Sequence, residues 1–339
     1  MFQTEIIIAV QSLHSEGLTW LMKQITATGY SSSIAALVIF VMLGISLRQG
    51  FLLFQIIAWT GMVSELSKGI FRLPRPFFAD SRVQCLEPGW NTVTVFSAQG
   101  APDFFSLPPR QVIDAFRLQR LSFGFPSGHV SGSIAIWGGL AVLFRSRRLA
   151  WLALFFISLI AFSRMYLGVH FLGDVLGGTM LGGLMLSFAW LLIGNSENQR
   201  RFFAAAKLSA AAALPLTLYV SFMFILPLLL AVLSLINAAL AGFFIGLNVA
   251  FTLLLKAGLP EDKGSLTVRA ARVLLAGIIF LLLNGALQQG FFWLDIPMAP
   301  WSICISTGLG CFLTFWGCVK TFLRLGLYKK TVQATIASA

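Results

Sequence analysis

The chain has 339 residues, 58% of them hydrophobic and only 11% charged. That balance excludes an ordinary soluble domain and fits a polytopic membrane protein. The formal net charge of +12 suggests nucleic acid at first sight. Basic residues in the cytoplasmic loops of a multi-span protein account for it better, so no nucleic-acid partner is expected.

Residues 1–30 mix apolar Ile6, Ile7, Ile8, Leu13, Leu18, Trp20, Leu21 and Ile25 with polar residues. This predicts an amphipathic segment in the membrane interface rather than a span. The apolar run Ile6–Val10 is too short for a signal peptide. Apolar runs near the length needed to span follow at 31–48, 51–71, 126–144, 149–167, 171–193, 208–233, 235–255, 273–294 and 302–323. They predict an all-α helical bundle of about nine transmembrane helices, with Pro215 and Pro227 kinking the sixth.

Between Phe77 and Gly124 lies one long polar loop carrying Pro88, Trp90, Asn91, Pro108 and Pro109. Loops of that length are usually functional or disordered, and this one is expected to cap a site. Its Arg110, Arg117 and Arg120 either attract an anion or are solvated charges. The expected division is 1–30 as the interfacial segment, 31–194 as the core with its cap loop 77–124, and 195–339 as C-terminal helices without a motif. In that last part Asn237, Asn248, Asn284, Gln288 and Gln289 are expected to hydrogen-bond between helices. Cys304, Cys311 and Cys318 lie seven apart on one helix face and read as packing residues; Cys85 stands alone. No disulfide framework or metal cluster is implied.

Three stretches carry chemistry. They are Lys68–Pro76, Pro126–His129 and Ser163–Asp174, with the patterns K-x6-R-P, P-S-G-H and S-R-x5-H-x3-D. His170 and Asp174 are four apart; in a helix they share a face, about 6 Å along the axis. A carboxylate there accepts the proton of one ring nitrogen and leaves the other as a nucleophilic lone pair. Fifteen of the 24 Lys and Arg residues fall on one side of the predicted spans. The positive-inside rule makes that side cytoplasmic and puts all three stretches together on the outer side, with the N-terminus outside and the C-terminus inside.

In order and spacing these stretches resemble the type-2 phosphatidic acid phosphatase superfamily, which includes lipid phosphate phosphatases, sphingoid-base phosphatases, glucose-6-phosphatase and vanadium haloperoxidases. The resemblance covers roughly Lys68 to Ile193, under half the chain. It implies a phosphohistidine on His170, with Asp174 orienting the ring and His129 as general acid for the leaving oxygen and then as base for water. Lys68, Arg75 and Arg164 would hold phosphate as fixed cations. Ser127 and Gly128, placed at a helix start by Pro126, suit an anion; Ser127 either caps that helix or donates to phosphate. Ser163 is a further hydrogen-bond donor, and Glu65 is expected to hold Lys68 by a local ion pair. Catalysis is expected to need no metal and no cofactor. Glycines 173, 177, 178 and 182 form small-xxx-small pairs, read as packing of the fifth span against the core.

The function expected is hydrolysis of a lipid phosphate, such as phosphatidate, a sphingoid-base phosphate or a polyprenyl pyrophosphate, at the outer face of the plasma (inner) membrane. Alternatives are a lipid phosphotransferase using the same intermediate and a sugar-phosphate phosphatase. A transporter or flippase ranks last, because no repeat is detectable. Membrane lipids are the expected surroundings, and the sequence is silent on oligomeric state.

Overall fold

The computed structural model describes residues 1–90, 94–119, 122–207 and 213–330, with side chains omitted at 213–215. Asn91 and Arg120 of the cap loop, the side chain of Pro215 and the last nine residues lie outside that description. Among the described residues the chain is all-helical, with no β-strand. The helices are α1 (Thr4–Gln11), α2 (Glu16–Ala27), α3 (Ser31–Ile39), α4 (Leu47–Phe71), α5 (Pro76–Ala79), α6 (Arg110–Leu118), α7 (Gly128–Ser133) and α8 (Gly139–Phe144). There follow α9 (Arg147–Tyr166), α10 (Leu172–Ile193), α11 (Ser196–Ala206), α12 (Ala213–Val220), α13 (Leu226–Val232), α14 (Ala238–Lys256), α15 (Leu266–Trp293) and α16 (Pro300–Arg324). Short π-helical segments at Phe40–Ile45, Ile134–Gly138 and Ser221–Ile225 extend or join α3, α7 with α8, and α12 with α13.

Among the described residues six helical segments are long and apolar enough to cross a membrane: Leu47–Ala79, Arg147–Tyr166, Leu172–Ile193, Ala238–Lys256, Leu266–Trp293 and Pro300–Arg324. Counting Glu16–Ala27 and Ser31–Ile45 as one broken span makes seven. The nine expected spans are therefore not confirmed; the sixth expected run, 208–233, lies partly outside the described residues. Gly128–Phe144 and Leu216–Val232 are apolar but shorter. At 1.5 Å per residue Gly128–Phe144 reaches only about 25 Å, short of a ~30 Å hydrocarbon core. The long helices turn large apolar side chains outward, such as Trp151 and Leu184, as lipid contact requires.

The chain divides into two compact units: Met1–Ile34 with Trp59–Trp190, and Ala35–Ala58 with Leu191–Ala339. In the first, residues 1–30 fold as two helices whose inner faces enter the core. Ile7 is completely buried, and Phe2 packs edge-on against Phe171 at 5.6 Å. Thr19 hydrogen-bonds the hydroxyl of Tyr166 at 2.8 Å. The cap loop is packed as well. Helix α6 is amphipathic, burying Val112, Ile113 and Phe116, each worth roughly 1.5–3 kcal/mol when withdrawn from water.

The second unit is built on α14 and α16, which run in close contact. A Cβ on Gly246 would strike the carbonyl of Gly308, and one on Gly242 the Thr307 hydroxyl, so glycine permits that approach. Cys311 and Cys318 are buried on α16, and all four cysteines are free thiols. Asn248 bridges helices, accepting from Gln55 at 3.2 Å. Asn237 instead caps α14, and Asn284 bonds back to Phe280 on its own helix.

Candidate active site

The first unit ends α9 and starts α10 with a tight turn. Gly168 has φ +73°, and a Cβ there would collide with the carbonyl of Gln84. Only glycine takes that conformation freely. The turn delivers His170 immediately before α10. Asp174 then does two jobs with one oxygen. Its Oδ2 accepts the backbone N–H of Phe171 at 2.9 Å, the carboxylate half of a capping box, and meets His170 Nδ1 at 3.2 Å. The i, i+4 pairing read from the sequence is thus made at a helix start, with both side chains buried. Burial first, then the charges of Arg75, Arg164, Lys68 and His129, push His170 well below the ordinary histidine range. The ring is neutral at pH 7, and its Nε2 faces Arg75 Nη1 at 3.4 Å.

Arg75 sits just past α4. That helix stops because Arg72 turns left-handed at φ 50° and Pro74 follows. The Arg75 guanidinium is held by carbonyls: Nε by Ser122 and Nη1 by Val169, each at 2.8 Å, and Nη2 by Phe123 at 3.3 Å. The Trp90 ring covers it at 4.4 Å. Lys68 lies one turn before the end of α4, and its Nζ is 3.5 Å from where a Cβ on Gly128 would stand. Gly128 is therefore the point at which backbone and ammonium converge.

Ser127 occupies the N-cap position of α7 but caps nothing with its side chain, because its Oγ is buried without a hydrogen-bond partner. Of the two expected roles, the structure does not show the cap. Pro126 falls just before the cap rather than in the first turn. His129 is the second residue of α7. Helix α10 presses its glycines against this segment: a Cβ on Gly178 would stand 2.5 Å from the Ser127 carbonyl, and one on Gly182 2.9 Å from Ile134. Gly173 instead faces Phe2 and Gly177 faces Phe125.

Arg164 is 2% exposed on the last turn of α9. Its Nη1 and Nη2 make a bidentate pair with Glu87 of the cap loop at 2.8 and 2.9 Å, and Nη1 also reaches Thr26 Oγ1 at 2.5 Å. Burial alone would raise the Glu87 carboxyl. The hydrogen bonds and charge of Arg164 outweigh it, with Tyr30 adding its own bond at 2.7 Å, and hold it down at about 2. Glu87 is thus an ionised, buried carboxylate paired with Arg164 and within the field of His129. Sequence reasoning missed it, along with Thr26, Gly29 and Tyr30. All four sit outside the three motifs, and the available signal was a single acidic residue before Pro88-Gly89 in the loop.

Five buried polar atoms in this cluster lack a hydrogen-bond partner: Ser64 Oγ, Ser127 Oγ, His129 Nε2, Arg164 Nε and Asp174 Oδ1. Leaving such groups unpaired costs about 1–3 kcal/mol each. A tetrahedral oxyanion, with several acceptor oxygens, is the chemistry that would satisfy those of them that can donate; the Asp174 oxygen needs a donor instead. Ser163 is completely buried, but its hydroxyl donates to the Ile160 carbonyl at 2.7 Å, so it is occupied by its own helix. Glu65 is among the charges acting on Lys68, though it lies on an exposed face. Arg110 and Arg117 both pair with Asp114 on the exposed side of α6. Among the described residues no three His, Cys, Asp or Glu side chains come together as a metal-ligand set.

Residues 49–198 match the model of the PAP2 superfamily. A stretch of 53 residues is 45% identical to the undecaprenyl-diphosphatase BcrC of Bacillus subtilis (strain 168), which is 16% of this chain and 26% of that protein. The chain therefore spans about a quarter of the length of that relative. No solved structure matches the chain.

Proposed function

Residues 49–198 being a PAP2 superfamily domain, we propose that the protein is an integral membrane lipid phosphatase. It cleaves a phosphate from a lipid monoester or diphosphate through a phosphohistidine. One observation carries this reading: His170 is held by Asp174 through Nδ1, and its Nε2 is directed toward Arg75 within the cluster that also contains Lys68, His129 and Arg164.

In the reaction the lone pair of His170 Nε2 attacks phosphorus in line, and the P–O bond to the leaving group breaks. His129, protonated for this step, gives its proton to the leaving oxygen. Lys68, Ser127 Oγ, the Gly128 backbone N–H and Arg164 Nε receive the equatorial oxygens, on which charge builds. Arg75, already tied to three carbonyls, keeps positive charge beside the attacking nitrogen. Asp174 Oδ2 stabilises the ring as it becomes cationic. His129, now neutral, then takes a proton from water, which attacks the phosphohistidine and frees phosphate and His170. No metal or cofactor enters these steps.

A lipid is favoured because the site residues stand at the ends of apolar helices, where a headgroup sits while its tail stays in the bilayer. The likeness to an undecaprenyl-diphosphatase puts polyprenyl diphosphates first among the candidates, ahead of phosphatidate and sphingoid-base phosphates. The distribution of Lys and Arg supports a site on the extracytoplasmic face.

The test is phosphate release from a panel of lipid phosphates and diphosphates by detergent-purified protein in EDTA, beside His170→Ala. Release by the wild type alone is expected. If a folded wild type releases none from any lipid, the reading falls. Transfer of the phosphate to a second lipid instead of water would convert it into a phosphotransferase.

A further inference from the structure

The PAP2 match begins at residue 49, yet the described site has a wall from outside it. Thr26, Gly29 and Tyr30 belong to the N-terminal segment, and all three touch the cluster. Thr26 Oγ1 meets Arg164 Nη1. Tyr30 OH donates to Glu87 Oε1, and its ring stands edge-on to His129 at 5.5 Å. Gly29 has no room for a side chain, since a Cβ there would stand 2.7 Å from His129 Cδ2. Glu87 is 7% exposed and satisfies two of the three nitrogens of Arg164. The nitrogen left over is Nε, buried and without a partner.

We propose that Glu87 and Tyr30 are positioning residues of the phosphate site. Glu87 grips the Nη edge of Arg164 and so fixes the guanidinium plane with Nε–H toward the anion. Tyr30 locks Glu87 from the other side and packs on the His129 ring, so one hydroxyl ties the orientation of the phosphate-binding arginine to that of the acid. The charge arithmetic points the same way. A carboxylate this close to an anion site repels the anion, so its presence is explained by geometry it imposes rather than by attraction. This inference rests on the phosphatase reading for its catalytic consequence, but not for its binding consequence.

The experiment measures two quantities on Glu87→Gln and Tyr30→Phe in the full chain. One is the rise in melting temperature that inorganic phosphate gives the detergent-solubilised protein. The other is kcat and KM on the best lipid of the panel. Glu87→Gln is expected to lose most of the phosphate-induced rise and on the order of 100-fold in kcat, the cost typical of a misaligned group. Tyr30→Phe, which removes one oxygen and keeps the ring, is expected to lose about tenfold in kcat with KM and the phosphate-free melting temperature unchanged. A Glu87→Gln protein that keeps the phosphate response, or a Tyr30→Phe protein with wild-type kcat, overturns the proposal. If Glu87→Gln does not fold, the Tyr30→Phe result decides alone. If no lipid is hydrolysed but the phosphate response depends on Glu87, the positioning role stands and the phosphatase reading falls. If the wild type shows neither response nor hydrolysis, both fall.

Discussion

Each of the two units buries an arginine almost completely, and the two are handled differently. In the second unit Arg272 lies over the Tyr328 ring at 4.3 Å and donates to the Asp262 carbonyl. The Asp262 carboxylate acts on it as well, its Nε is buried without a hydrogen-bond partner as that of Arg164 is, and no histidine belongs to that unit. In the first unit Arg164 faces a carboxylate, a threonine and, through its electrostatic field, two histidines and two more cations. What separates the two is company: Arg164 shares its surroundings with two more cations and two histidines, with Glu87 and Asp174 as the buried counter-charges. The glycines repeat the contrast. Gly242 and Gly246 bring two helices of the second unit together, whereas Gly178 and Gly182 press α10 onto the segment that presents Ser127 and His129.

The comparison breaks most sharply at the nucleophile. His170→Ala is expected to abolish phosphate release, by about 10⁴-fold or more, with little change in melting temperature; residual turnover within tenfold of wild type would move the nucleophile elsewhere. Next come the glycines. Gly178→Ala pushes on the Ser127 carbonyl and is expected to cost on the order of 100-fold in kcat. Gly246→Ala is expected to destabilise by about 1–3 kcal/mol through overpacking while the folded fraction turns over normally. Kinetics and thermal melts on the two variants should therefore move in opposite columns, and a pair that behaves alike would erase the distinction between the units.

The smallest effect is in pH. The folded state refuses a proton on His170 that the unfolded chain accepts below its ordinary value of about 6.5. Stability should thus be complete above that pH and fall below it, by at most about 1.4 kcal/mol per pH unit from this one group. Melting curves between pH 7.5 and 5 for wild type and His170→Gln test this: the variant should lack that component of the slope, and identical slopes would contradict it.

Much of the site was legible because polar residues are costly in an apolar chain. His129, His170 and Asp174 had few other reasons to be where they are, and the spacing of the last two encoded their contact. What the spacing withheld was everything that tertiary structure recruits. Glu87 sits in a loop without periodicity, and Tyr30 and Gly29 sit in a segment whose apolar residues suit an interface as well as a core. The fate of Ser127 was undecided in the sequence because a cap and a ligand donor have the same one-letter code; only the surrounding geometry leaves its hydroxyl unspent. Where the described residues show fewer spans than the apolar runs suggested, the runs at 31–48 and 126–144 are taken up by shorter helices extended or joined by π-helical segments, which hydropathy does not register. The glycine pairs of the fifth run were legible as packing, but which partner they met was not.

The contact between Thr26 and Arg164 joins residues 138 positions apart. At a ribosomal pace of ~5–20 residues per second, the first waits on the order of 10 s for the second. During that interval the emerging chain carries Lys68, Arg75 and His129 without the arginine that Glu87 and Thr26 hydrogen-bond and without the His170–Asp174 pair. The cluster is complete only once α9 and the turn at Gly168 have been made.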